Sequence, residues 1–224
     1  MIDLRTPLSL RTSFAFPLQT SRARREVVIG GALLLLPVVG WLLNMGHRIA
    51  MVHRMLHGQE AWPAWRGYPA LLKHGLLTFG GMVYYYAPGA LAGYAAWRLE
   101  SLPLAVLAGV LATLATIAIP GYMTHYCWSF DAAEIYDPLR ALSRVFQGGR
   151  DYWRAWGIAL SALALSFLGL LGLGVGFLAT SVWFWQVAGF SFARVFARRF
   201  LVDGAAPLPT SPLPSDEIAA WTTR

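Results

Sequence analysis

The residue types in this chain best suited to holding a metal or a tetrapyrrole are five histidines, His47, His53, His57, His74 and His125, and one cysteine, Cys127. His53 and His57 stand four apart, the spacing that puts two imidazoles on one helix face. No glutamate follows His53 in a His-Glu-x-x-His pattern, and no third ligand lies nearby in sequence. Solvation among headgroups is therefore the better reading of the pair, with pigment or haem ligation as the sharper one. His74 and His125 are cofactor-binding candidates on the same terms, and neither a metal site nor a resident cofactor is expected. A single cysteine excludes an intramolecular disulfide and a cysteine cluster. Cys127, between Tyr126 and Trp128, reads as a packed thiol.

Other chemistries are missing their motifs. There is no Gly-x-Ser-x-Gly elbow for serine hydrolysis and no phosphate loop. Gly172-Leu173-Gly174-Val175-Gly176 sits inside an apolar run, so it reads as a close-packing patch or a turn and not as a dinucleotide fingerprint. No enzymatic activity is expected.

The elements that carry these residues belong in a bilayer. Of 224 residues 57% are apolar and 13% charged, against about a quarter charged in ordinary soluble domains. The mean hydropathy of +0.50 agrees. A net charge of +7 without any nucleic-acid motif reads as arginines that set topology and meet anionic headgroups, not as a nucleic-acid surface. Lys73 is the only lysine among the 18 basic residues, which with abundant Ala, Gly, Leu and Arg suggests a GC-rich bacterial genome and a multi-pass protein of the cell (inner) membrane.

The expected fold is all-α: a polytopic transmembrane bundle over 27–200, preceded by a basic arm (1–26) and followed by a Pro-rich tail (201–224). Val27–Gly46 is uncharged and, at 1.5 Å per residue, ~30 Å long, the thickness of a hydrocarbon core. It reads as the first span. Gly75–Trp97 reads as the second, kinked at Pro88, and Leu104–Met123 as the third, bent at Pro120. The uncharged run between Arg154 and Arg194 is ~58 Å if helical, nearly two bilayers. Its glycine cluster suggests a hairpin, with spans at Ala155–Gly172 and Val175–Ala193. The count is about five spans, with four as the alternative.

Two amphipathic surface helices are expected. In His47–His57, Ile49, Met51, Val52, Met55 and Leu56 share one wheel face and His47, His53, Arg54 and His57 the other. Arg48 falls on the apolar face, where it either snorkels to the headgroups or pairs with Glu60 or Asp131. In Ser129–Gln147, Asp137-Pro138 reads as a cap and first-turn proline, and Gly148-Gly149 as a stop. Trp62 and Trp65 should lie along the membrane surface. Arg48, Trp62, Trp65, Arg140 and Arg144 are thus the expected lipid or partner contacts. The arm reads as retained, with Leu8, Leu10, Phe14, Phe16 and Leu18 at the interface in near-alternation that does not favour a helix. With five spans its arginines and Arg98 face one side and the other basic clusters face the opposite one. The positive-inside rule then conflicts with Arg22, Arg24 and Arg25 before the first span.

The order of features from Arg11 to Phe196 resembles the bacterial and archaeal multi-spanning membrane proteins of domain-of-unknown-function family 4013. Gly46, Arg48, Arg54, Gly58, Pro63, Trp65, Gly75, Tyr85 and Pro88 carry the resemblance. His47 stands where the family has tyrosine, Trp62 where it has leucine, and Arg66 where it has acids. The resemblance implies a helical membrane fold and no established activity. With no Asp, Glu, Lys or Arg inside the spans, the preferred role is a non-catalytic accessory or scaffold subunit, with the bilayer and other membrane subunits as partners. A passive channel or transporter built on the Pro-Gly breaks, and a pigment- or haem-binding subunit, are the alternatives.

Overall fold

A computed structural model of the chain describes residues 4, 7–172 and 174–203. The elements in order are α1 (Leu10–Ala15), a 3-10 turn (Phe16–Leu18), α2 (Ser21–Leu33), α3 (Val39–Leu56), α4 (Tyr68–Leu99) and α5 (Leu102–Ser129). They continue with α6 (Ala133–Tyr136), α7 (Pro138–Ser166), a second 3-10 turn (Phe167–Leu171) and α8 (Val175–Asp203). No strand occurs among the described residues, so the expected all-α class stands. The proline cluster of the tail lies outside the described residues. Three stretches are long and apolar enough to cross a membrane: Leu102–Ser129, Pro138–Leu171 and Val175–Ala197.

The expected first span is overturned. A straight helix over Val27–Gly46 would hold its flanks ~30 Å apart, yet Glu26 Oε2 and His47 Nε2 stand 2.8 Å from each other. The chain folds back between α2 and α3, at a break that contains Pro37 and Val38, the latter with φ 63°. The Asn44 side-chain amide crosses the hairpin, donating to Gly40 O at 2.8 Å and Gly30 O at 3.1 Å. A Cβ on Gly40 would run into the Leu33 carbonyl, so the return leg requires glycine there. Counting apolar residues measures length and not direction, which is why composition alone suggested a straight crossing.

From this hairpin the rest is layered by close backbone contact. α3 and α4 meet reciprocally: Gly46 lies against the Leu71 carbonyl and Gly75 against the Leu42 carbonyl. Small residues let helix backbones approach where lipid offers no hydrophobic drive. α4 and α5 form a long hairpin closed by Glu100 in the left-handed region and Pro103 in the first turn of α5. α7 and α8 form a second, turning through Gly172 and Gly174 as the glycine cluster suggested. The helix expected over Ser129–Gln147 is divided: Ser129 ends α5, α6 covers Ala133–Tyr136, and α7 starts at Pro138 after the expected cap. The Asp137 carboxylate accepts from Arg140 N at 3.0 Å, Leu139 and Phe146 are exposed, and Gly149 (φ 54°, ψ −141°) breaks α7 where the stop was read.

Pro88 and Pro120 both sit inside continuous helices. Next to Pro120 the ladder of α5 is repaired from outside: Gly121 N–H donates to Tyr152 Oη at 3.2 Å, and Tyr152 O–H donates in turn to Ile117 O. A fully buried α7 hydroxyl thus replaces the direct bond, one of the ways a helix tolerates proline. Removing it strands a buried donor and a buried acceptor. Tyr152→Phe should therefore cost about 1–3 kcal/mol, read as a lower melting temperature in detergent; an unchanged value would show that the α5 ladder closes without it.

Candidate functional site

The polar chemistry gathers at one end of the bundle, around the α3–α4 connector. Glu26 on α2 is its anchor. Its carboxylate accepts from His47 Nε2–H at 2.8 Å and Ala64 N–H at 3.0 Å, while Trp65 Nε1–H donates to Glu26 O at 3.0 Å. The His47 ring stacks on Trp65 at 4.0 Å between centroids. Trp62 stacks on Phe16, which stacks in turn on Phe190 at 4.3 Å. Both tryptophans are buried, which corrects the expectation that they lie on the membrane surface. Here packing and a buried acceptor outweigh the interface preference of indole. The arm is corrected likewise: Leu10–Ala15 is a helix capped by Ser9, and Phe16 is core.

Electrostatics follow from that closure. Burial alone would raise the Glu26 carboxyl, but its hydrogen bonds to the His47 ring and Ala64 N–H hold it below the ordinary 4.5. Burial lowers His47 below 6.5, and Glu26 offsets this only in part. The pair is an ionised carboxylate accepting from a neutral imidazole.

The expected polar face of His47–His57 is not a surface, since His47 and His53 are both buried. Three of the four candidate histidines are brought together. His53 and His74 both stack on Phe130, at 4.2 and 4.4 Å, and His57 packs on His53 at 4.1 Å. Each Nδ1 already has a hydrogen-bond partner: Cys127 O for His53, His53 O for His57 and Tyr126 Oη for His74. Burial, with His57 alongside, pushes His53 down to about 4. His125 stands apart, bonded to Gly121 O and packed against Phe196 and Phe200. Among the described residues no three potential ligands converge on a metal position.

Among the described residues Arg48 pairs with no acid. Glu60 is engaged by Arg22 and Asp131 by Arg140. The Arg48 guanidinium donates to Met123 Sδ at 2.8 Å and lies 4.7 Å over the Trp185 ring. It borders an apolar cavity of about 350 Å³. The cavity opens between the two long hairpins, where the α4 backbone does not closely approach that of α7 or α8. Arg140 and Arg144 are also not free lipid contacts. Both converge on Glu134, at 3.2 and 2.9 Å.

Comparison of the chain with known protein families, curated proteins and solved structures finds no match.

The Glu26–His47 pair has a definite pH signature. The fold favours ionised Glu26, a contribution present above 4.5 and lost as pH falls through its lowered value. It also favours neutral His47, a contribution full above 6.5 and lost on acidification below that. Both make the fold acid-sensitive. Glu26→Ala leaves His47 Nε2–H and Ala64 N–H unpaired and should cost about 1–3 kcal/mol for each stranded donor at pH 7.5. The melting temperature of the parent should drop from pH 7 to pH 5 more than that of a Glu26→Gln/His47→Gln double variant; equal drops would remove the pair from the account.

Proposed function

We propose that the chain is a non-catalytic, multi-pass protein of the cell (inner) membrane that serves as an accessory or scaffold subunit beside other membrane helices. One observation carries this reading. The distal half of the α4–α5 hairpin presents an apolar outer face, with Leu91, Tyr94, Trp97, Leu102 and Val106 exposed. Along it runs an exposed stripe of small residues, Ala105, Gly109 and Thr113, at the four-residue spacing that lets a second helix approach closely.

The reading includes a topology of four spans, α5, the second half of α7, α8 and also α4, which is not among the three most apolar stretches but packs along α5, with α2–α3 as a re-entrant hairpin. From Glu26 to the end of α2 is only ~10 Å, too short to cross a ~30 Å core. The arm, the α3–α4 connector and the outer ends of α5 and α8 then share one side, linked by Arg22–Glu60, His57–Trp128 and Trp128–Phe200. Among the described cations only Arg98 falls on the other. The charge conflict of a five-span reading disappears, and the positive-inside rule makes the crowded side cytoplasmic. The resemblance to family 4013 is kept as part of this proposal: its glycines Gly46 and Gly75 are those at the α3–α4 contact.

A photo-crosslinking residue at Leu107, activated in native membranes, should give a discrete protein adduct. Gly109 has open space around it, so Gly109→Leu should abolish the adduct while leaving the melting temperature within about 1 °C, as for surface changes away from packed features. Adducts to lipid alone would sink the subunit reading. For the topology, cysteines placed at Glu60 and Ser101 should be labelled from opposite sides; labelling from one side would end the four-span arrangement.

A further inference from the structure

The wedge cavity has no place in a purely packing account. Its wall is apolar, drawn from α3, α4, α5, α7 and α8, and its volume of about 350 Å³ falls within the ~300–1,000 Å³ of small-molecule sites. One charge faces it, the Arg48 guanidinium. That group has five N–H donors in a planar fork suited to a carboxylate or phosphate. Its protein partners are the Met123 sulfur and the Trp185 face, and among the described residues no carboxylate pairs with it. A cation withdrawn from water is retained when an anion or a set of strong acceptors meets it.

We propose that this cavity binds an acidic lipid, its anionic head on Arg48 and one acyl chain running between the two hairpins. The dimensions suit a chain. From Cys127 to Thr116 the cavity follows α5 for ~16 Å, and Trp156, Leu160, Leu163 and Phe184 carry the apolar lining along α7 and α8. The Tyr86–Thr116 hydroxyl pair, 2.8 Å apart, satisfies itself at the rim. No close backbone contact ties α4 to α7 or α8, so a lipid entering between them breaks none. The head chemistry could come from a free fatty acid or from an anionic phospholipid. The site does not depend on whether a partner occupies the α4–α5 hairpin.

The test uses the full chain in phosphatidylcholine nanodiscs, with quenching of tryptophan fluorescence as the readout, since Trp185 and Trp156 line the cavity. 9,10-Dibromostearate and brominated phosphatidylglycerol are titrated separately. At least one should quench saturably, and which one does identifies the source of the head. Trp185→Phe should remove much of the saturable signal. Arg48→Met should weaken binding at least tenfold and Arg48→Lys should restore part of it. The uncharged dibromostearyl alcohol should bind at least tenfold more weakly than the acid. Leu163→Trp, which keeps the head site and fills the tail region, should also weaken binding, and it stands in if Arg48→Met does not fold. The proposal is overturned if neither acid quenches saturably, if the alcohol binds as well as the acid, or if Arg48→Met or Leu163→Trp binds as the parent does.

Discussion

The Glu26–His47 hydrogen bond is the contact on which the rest of this architecture depends. It joins the two legs of a helical hairpin at their outer ends. The same carboxylate takes the Ala64 N–H, and the Glu26 carbonyl takes the Trp65 indole N–H. One buried acid therefore ties three separate segments, α2, α3 and the α3–α4 connector. Charge buried this way is tolerable only when its acceptor capacity is met, and here the His47 ring and the Ala64 N–H supply the donors to the carboxylate.

With the hairpin held, the helices are positioned by absence of side chain as much as by presence. Gly46 and Gly75 bring α3 and α4 to backbone contact, while Gly121 admits the Tyr152 hydroxyl into the α5 ladder. These close approaches fasten α4 to α3 and α5 to α7. No such contact joins α4 to α8; α3 lies against both, and the apolar cavity opens beside it. The cavity follows from which glycines are present, and Arg48 is its one cation.

Features set by local chemistry were legible in the chain. The Asp137-Pro138 start, the Gly149 break and the glycine turn before α8 each follow from a dihedral or capping requirement of the residue concerned. Features set by distant contact were not. Nothing near Val27–Gly46 announces that Glu26 and His47, 21 positions apart, are bonded; Pro37 at its centre with an ionisable group at each flank was the available signal. Trp62 and Trp65 looked interfacial because indole prefers interfaces in general, whereas a buried acceptor and a stacked His47 decide their place. Tyr152 left no local trace, since its partner lies 31 residues away in α5. Of the candidate histidines, His53 and His57 were legible as a helix-face pair, but their joining with His74 around Phe130 depends on the α5 terminus reaching back across α3.

The placement of Arg98 bears on how such a chain enters a bilayer during synthesis. In the four-span arrangement the only hydrophilic cargo carried across the hydrocarbon by the first long hairpin is the turn at Arg98–Ser101. There Glu100 cancels the arginine charge before any gradient acts on it. The second hairpin carries a glycine turn with no charge at all. In the proposed arrangement both hairpins would enter as pre-paired loops, with no bulky polar segment to be pulled through and the arginine-rich flanks left on the side of entry.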